Sequence, residues 1–488
     1  MKKKIAFISS EITPYASTGG LAEVTAALPI ALRKLGWTVL QIMPLYRQVR
    51  ESGLPLRFTG QMLSIPVGFH TLRAEVWVSN DPARSDLVFI ARDEFFDRSF
   101  LYTVSDRDYD DNFERFVFFQ KAVVAYLDTL AEPVDLVHCH DWQTGLMPLY
   151  LRYGLKGEGR PWREKTVYTL HNLAFQGVFD GNLFSYSNLP FSCFNVDCLE
   201  YYGNVNCMKG GIIAADAITT VSKTYSKEIQ TQTFGCGLEG VLAECQNKLQ
   251  GIVNGIDTEK WNPQKDHHLA HRFSVFNLKG RKTCKQDLIH RSGLNLPDQG
   301  PLVGMVSRLT SQKGIPMIHS LIDAWMTRYP DMGWVILGDG PESMAALVYR
   351  WERQWPGRIR FFKAFDPILA RRIFAGVDMF MMPSEFEPCG LNQFYSMRYG
   401  APPIVHATGG LADTVIDACL HPESGNGFVF KEFTPQALDQ TVEKAVEMYR
   451  GKRPAWTHVI EQAMRRDSSW TQSAMQYAQL YEKLINRT

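Results

Sequence analysis

The sequence predicts an α/β protein made of two doubly wound parallel sheets. Three observations carry that reading. Short apolar runs alternate with stretches of helical spacing, the pattern of strand–helix–strand units. The alternation comes as two series of roughly 200–250 residues each, which fits two domains in a chain of 488 residues. One short motif recurs once per series, as Thr18-Gly19-Gly20-Leu21-Ala22-Glu23 and Thr408-Gly409-Gly410-Leu411-Ala412-Asp413. Each copy lies between a strand and a helix.

The first series opens on residues 5–9, an apolar run that reads as a buried parallel strand. A stripe at Leu21, Val24, Ala27, Leu28, Ala31 and Leu32 has helical spacing, with Pro29 inside it predicting a kink. Gly36 ends that helix, and residues 39–43 are the second strand. Residues 55–92 alternate in short runs that predict antiparallel hairpins inserted into the sheet. Helix–strand alternation resumes at Phe113, with strands at 136–139, 166–170, 217–221 and 249–253. The second series places strands at 302–306, 333–337, 359–362, 378–382 and 403–405. Helices at 315–327, 342–354 and 369–375 separate them. A domain break is expected near Trp261-Asn262-Pro263, giving domains 1–260 and 261–469. The amphipathic segment 470–488 is a final helix, with Met475, Leu480, Tyr481 and Leu484 on one side.

Composition excludes several classes of function. Lys and Arg number 52 against 51 Asp and Glu, so no global field recruits nucleic acid or an anionic membrane. The nine cysteines are an odd number without a C-x-x-C pair, which argues against a disulfide framework and a zinc ribbon. A reducing, cytoplasmic setting is expected. Cys193, Cys198 and Cys207 lie near one another, but their irregular spacing argues against a metal. Lys2-Lys3-Lys4 could open a signal peptide. The apolar run that follows stops at Ser9-Ser10-Glu11, short of the roughly 7–15 residues such a segment needs. No run approaches the roughly 18–20 residues of a membrane span.

The groups that could carry chemistry sit just past strands, where open α/β sheets bind ligands. A Gly-Gly pair at a helix start admits close approach and aims N–H groups at an anion. Arg308 and Lys313 supply a fork and a point charge that suit a pyrophosphate; a solvated surface pair is the plain alternative. Glu387 lies in Pro383-Ser384-Glu385-Phe386-Glu387-Pro388-Cys389-Gly390-Leu391-Asn392-Gln393, followed by a glycine turn and a helix start. In the first series, His138-Cys139-His140-Asp141-Trp142-Gln143 and Thr169-Leu170-His171-Asn172-Leu173-Ala174-Phe175-Gln176-Gly177 each follow a strand. A metal there is disfavoured, because His138 and His140 alternate on a strand end and are expected to point apart. Carboxylate, imidazole, amide and aromatic groups together suit a sugar ring. Asp106, Asp108 and Asp110 read as solvated turn residues. Dinucleotide and P-loop fingerprints are lacking.

With these motifs in this order, the sequence resembles the bacterial glycogen synthases and plant starch synthases, glycosyltransferase family 5. The resemblance runs over nearly the whole chain, through segments 18–22, 138–146, 171–177, 254–257, 307–314, 387–391 and 408–415. It implies a GT-B fold of two Rossmann-like domains facing a central cleft. It also implies retaining transfer of glucose from ADP-glucose to the non-reducing end of an α-1,4-glucan, without metal or cofactor. UDP-glucose is the alternative donor. A catalytically weak glucan-binding or priming protein is the alternative role.

The resemblance further implies roles for individual residues. Arg308 and Lys313 hold the donor diphosphate and stabilise the leaving group. Glu387 binds glucose hydroxyls, and Asp141, His171 and Asn254 surround the same sugar. Ser17, Gly19, Gly20, Tyr102, Asn172, Gln176, Cys389, Gly390 and Leu391 belong to the substrate-binding set. Thr408, Gly409 and Gly410 present N–H groups to phosphate. A front-side displacement, with the leaving phosphate taking the acceptor proton, is the expected route to retention. Tyr395 stands where many GT-B enzymes place a second Glu. Four positions depart from the family pattern. Ser17 replaces a lysine and Glu23 an aspartate, while Glu385 and His406 stand where many bacterial members have arginine. Glu385 and His406 are expected to be rim positions.

Overall fold

The computed structural model describes residues 3–104, 107–158 and 164–486. The chain divides into two compact units, Met1–Asn254 with Trp470–Thr488 and Gly255–Ser469. Trp261, where the sequence suggested a break, stacks on Tyr395 with ring centroids 3.9 Å apart and so packs within the second unit.

The first unit is built on a nine-stranded sheet. In chain order its strands are β1 (Lys4–Ile8), β2 (Thr38–Pro44), β3 (Leu56–Val67), β4 (His70–Ser79), β5 (Leu87–Ala91), β6 (Leu136–His140), β7 (Lys165–Leu170), β8 (Ala217–Thr220) and β9 (Leu249–Gly251). Their order across the sheet is β9-β8-β7-β6-β1-β2-β5-β4-β3. The strands from β9 to β5 are parallel, and β4 and β3 extend the edge as an antiparallel hairpin. β5 and β6 are buried throughout and β1 from Ile5 onward, covered on both faces as parallel sheets require, with His138 and His140 the polar residues of β6. The helix Gly20–Lys34 runs as one element with Pro29 inside it. Its Val24, Leu28 and Leu32 pack with Trp470, Ala474, Tyr477, Tyr481 and Leu484 of the final helix, Trp470–Ile485, in one buried cluster. Burial of that stripe, not propensity, fixes a helix this rich in aromatic residues.

The second unit carries six parallel strands: β10 (Leu302–Val306), β11 (Gly333–Gly338), β12 (Ile359–Lys363), β13 (Met379–Met382), β14 (Pro403–His406) and β15 (Phe428–Phe430). Their order is β12-β11-β10-β13-β14-β15, the doubly wound 3-2-1-4-5-6 arrangement. β15 is a short edge strand that the sequence pattern did not mark. Lys285 ties the base of this sheet. Its Nζ donates to Asp378 Oδ2 at 2.7 Å and to the Gly300 carbonyl at 2.6 Å.

Each sheet reverses its winding once. The reversal lies between β1 and β6 in the first unit and between β10 and β13 in the second. The loops leaving the carboxyl ends of those strands diverge there and leave room for a ligand. Among the described residues, no helix is long and apolar enough to cross a membrane.

Candidate functional site

In the first unit the segments following β1, β5, β6 and β7 carry Glu11 and the Thr18–Gly20 turn, Tyr102, Asp141 and His171 respectively. Glu11 was not singled out in the sequence. Its carboxylate accepts the Thr18 N–H at 2.6 Å, the Thr18 hydroxyl at 2.7 Å and the Tyr102 hydroxyl at 2.7 Å. The Gly19 N–H also points to it. The glycine turn was expected to aim free N–H groups at a ligand anion; Glu11 already takes those of Thr18 and Gly19. Burial holds the Glu11 carboxyl above its ordinary range, and these hydrogen bonds oppose that shift. Ser17 is exposed beside the turn. Tyr102 is itself held, through its carbonyl, by Asn112 at 3.0 Å.

Asp141 has φ 54° and ψ −175°, a region costly for any residue but glycine, on the order of 1–3 kcal/mol. Its N–H donates to Thr169 at 3.0 Å, and its carboxylate accepts the His171 N–H at 2.7 Å. Burial raises the Asp141 carboxyl to about 7, against the pull of that N–H. His171 is buried and pushed down to about 3, so it is a neutral imidazole. His138 and His140 do not point apart. Their ring centroids are 4.2 Å apart, because residues two apart on a strand share one face. His140 Nδ1 continues the stack to His171 Nε2 at 3.0 Å.

Three further predicted residues flank this set. Asn254 is buried with its Oδ1 unpartnered among the described residues. Asn172 Oδ1 accepts the Ala174 N–H at 3.1 Å. Gln176 is a clasp: its amide donates to the Cys236 carbonyl at 2.9 Å and accepts from Asn206 at 2.7 Å, so both ends are engaged within the protein.

In the second unit the loops after β10 and β13 carry the charged set. Lys313 Nζ lies 2.5 Å from Glu387 Oε2, and Ser384 Oγ donates to the same oxygen at 3.0 Å. Arg308 is exposed and makes no hydrogen bond or ion pair with the described residues. The two loops are stitched together by Glu385 N–H to the Gln312 carbonyl at 2.8 Å and by Gln312 Nε2 to the Phe386 carbonyl at 2.9 Å. A Cβ on Gly314 would lie 2.3 Å from the Pro383 carbonyl, so only glycine permits this docking.

The second Gly-Gly turn buttresses the same loop. The Gly410 N–H donates to the carbonyls of Glu387 at 3.0 Å and Pro388 at 3.1 Å, and the Thr408 N–H to His406 at 2.9 Å. The expectation that both stand free for phosphate is therefore corrected: the protein's own carbonyls hold them. Cβ atoms on Gly409 and Gly410 would sit 2.0 Å from the Glu387 carbonyl and 2.1 Å from the Cys389 carbonyl. Cys389 is buried, and Gly390 and Leu391 lead into the helix Asn392–Arg398, whose Asn392 Nδ2 donates to the Val306 carbonyl at 2.6 Å.

The two arginine replacements differ. Glu385 is exposed, but His406 is no rim position: it is 7 % exposed beneath the loop. Its Nδ1 lies 3.0 Å from the Ser384 carbonyl and its Nε2 3.2 Å from that of Lys431. Phe365, 92 % exposed just past β12, is an aromatic at a strand end that sequence reading missed.

Metal ligation has one geometric candidate among the described residues, Asp266 with His267 and His268. Asp266 Oδ2 is already bound by Tyr399 at 2.5 Å and Arg371 at 2.8 Å. None of the nine cysteines forms a disulfide. Asp108 and Asp110 are exposed, and Asp106 lies outside the described residues.

Comparison with known proteins gives a consistent result. The family described as starch synthase catalytic domain matches residues 4–244, and glycosyl transferases group 1 matches 287–462. Glycogen synthase 2 of Geobacter sulfurreducens is 42 % identical over 480 residues, 98 % of each chain. The glycogen synthase of Pseudothermotoga lettingae is 38 % identical over 489 residues, 99 % of each. The catalytic domain of starch synthase IV from Arabidopsis thaliana, solved bound to ADP and acarbose, superimposes with a TM-score of 0.89 at 31 % identity over the full length of both chains. That GT-B neighbour and the two doubly wound sheets agree in fold. The chain belongs to the glycogen and starch synthase family of glycosyltransferases.

Proposed function

We propose that this glycosyltransferase moves glucose from ADP-glucose to the non-reducing end of an α-1,4-glucan, with retention of configuration, and releases ADP. The observation that carries the reading is the pairing of an open guanidinium, Arg308, with the Lys313–Glu387 couple at the switch point of the second unit. Arg308 takes the diphosphate as a fork, and Lys313 exchanges its carboxylate partner for a phosphate oxygen. Glu387 is then released to accept glucose hydroxyls. The two cations stabilise charge as it builds on the leaving diphosphate, the largest electrostatic demand of such a transfer. Phe365 offers an exposed aromatic face for a base.

In the first unit, Asp141, Asn254 and His171 offer a carboxylate, an unpartnered amide oxygen and a neutral imidazole to sugar hydroxyls. A neutral His171 orients the ring without adding charge near C1. The leaving diphosphate takes the acceptor proton, so bond breaking and bond making share one face of the sugar. The ADP and acarbose held by the Arabidopsis neighbour support the choice of donor and acceptor classes. The test is incorporation of labelled glucose into glycogen from ADP-glucose and UDP-glucose side by side. Preference for ADP-glucose supports the proposal. Preference for UDP-glucose overturns the donor and makes the Ser17 replacement a specificity feature.

A further inference from the structure

His171 has a neighbour whose hydrogen-bonding options are nearly exhausted. His140 sits at the end of β6 with its N–H donated to Thr144 Oγ1 at 2.6 Å. Its ring packs against those of Phe7, with centroids 4.4 Å apart, and His138, 4.2 Å away. Nδ1 lies 3.0 Å from His171 Nε2. Nε2 is buried and has no partner among the described residues. His138 cannot supply one, because its two nitrogens are spent on Tyr481 Oη at 2.7 Å and Thr169 Oγ1 at 2.6 Å.

Only one proton fits between His140 Nδ1 and His171 Nε2. If His140 accepted it, a neutral His140 would carry its own proton on Nε2, leaving a buried N–H with nothing to donate to. Orphaned buried N–H groups are rare because the full desolvation cost is unrecovered. If His140 donates, Nε2 is left as a buried lone pair, the lesser cost, since under-satisfied acceptors are less rare than orphaned donors. Burial keeps both rings neutral, so double protonation does not offer a third arrangement.

We infer that His140 is a positioning residue that fixes His171 as the neutral tautomer protonated on Nδ1. His171 Nδ1 makes no hydrogen bond within the described residues and, unlike His140 Nε2, is not sealed from solvent. His171 therefore offers the sugar a donor and not an acceptor, and a glucose hydroxyl meets it through oxygen. This consequence rests on the proposed contact between His171 and the donor glucose; the tautomer itself does not.

The experiment is histidine-selective 15N labelling of the full chain without ligand, with the His171 signals identified by their loss in His171→Gln. The expected spectrum shows His171 protonated on Nδ1. Protonation on Nε2 overturns the inference in the wild-type protein, with no dependence on a variant folding. His140→Leu is expected to give mixed His171 tautomers and a drop in donor kcat/KM of about tenfold. His140→Asn, whose amide N–H can replace the Nδ1 donor, is expected to restore the tautomer and most of the rate. A His140→Leu variant with the wild-type tautomer also overturns the inference. Correct tautomers with no transfer from either nucleotide sugar support the inference and refute the proposed function instead.

Discussion

Arg308 and Lys313 are expected to share a diphosphate, yet the protein holds them differently, and that difference is measurable. Arg308 is exposed and unpartnered among the described residues, so Arg308→Ala removes no native interaction. Its effect on stability is expected within about 0.5 kcal/mol, a melting shift of roughly 1–2 °C for a unit of this size. Lys313 and Glu387 are 16 % and 9 % exposed and meet at 2.5 Å. Lys313→Ala leaves that carboxylate with the Ser384 hydroxyl alone. A lost hydrogen bond between charged groups costs about 1.5–3 kcal/mol, or roughly 3–12 °C. Both variants are expected to lose donor kcat/KM by about 10²–10³, the usual scale for removing one stabilising group from a developing anion. Calorimetric unfolding and initial rates at varied ADP-glucose measure the two effects. The reasoning fails if Arg308→Ala destabilises as much as Lys313→Ala, or if it keeps kcat/KM within threefold.

Other outcomes follow from the same geometry. Asp141 titrates near 7 in the fold, raised by burial. Its unfolded value is about 3.9, so the native state binds the extra proton and stability falls as pH rises through that interval. Asp141→Asn is expected to flatten the fall in melting temperature between pH 5 and pH 8 and to lower activity; an unchanged pH profile contradicts this. Gly410→Ala forces a methyl group onto the Cys389 carbonyl, and is expected to raise donor KM with the far-ultraviolet circular dichroism unchanged. Tyr481→Phe strips His138 of its partner on the final helix and is expected to cost about 1–3 kcal/mol, read by denaturant unfolding.

The sheets were legible in the sequence because buried parallel strands are continuous apolar runs, and both switch-point loops follow from strand order. The recurrence of Thr-Gly-Gly-Leu-Ala marked both helix starts. What the turns do was not legible. The occupants of their N–H groups, Glu11 in one unit and the Glu387 and Pro388 carbonyls in the other, are contacts that only the fold creates. A carboxylate soon after the first strand was the available signal for Glu11. The histidine stack departs from the expectation that His138 and His140 point apart, because neighbours on a strand alternate and second neighbours align. His406 was misplaced at the rim because its burial depends on Phe430 and Lys431, residues of a short edge strand and its loop that the apolar pattern did not reveal. Gln176 lies in a motif that suits a sugar, yet its amide is consumed by Cys236 and Asn206, which no local pattern reports.

The most direct test of the account follows ADP-glucose and maltotriose with the full-length protein by proton NMR. The account predicts a new α-1,4 linkage at the non-reducing end, formed in step with ADP. A β-linked product, release of free glucose in place of transfer, or no reaction while maltotriose still binds would contradict it.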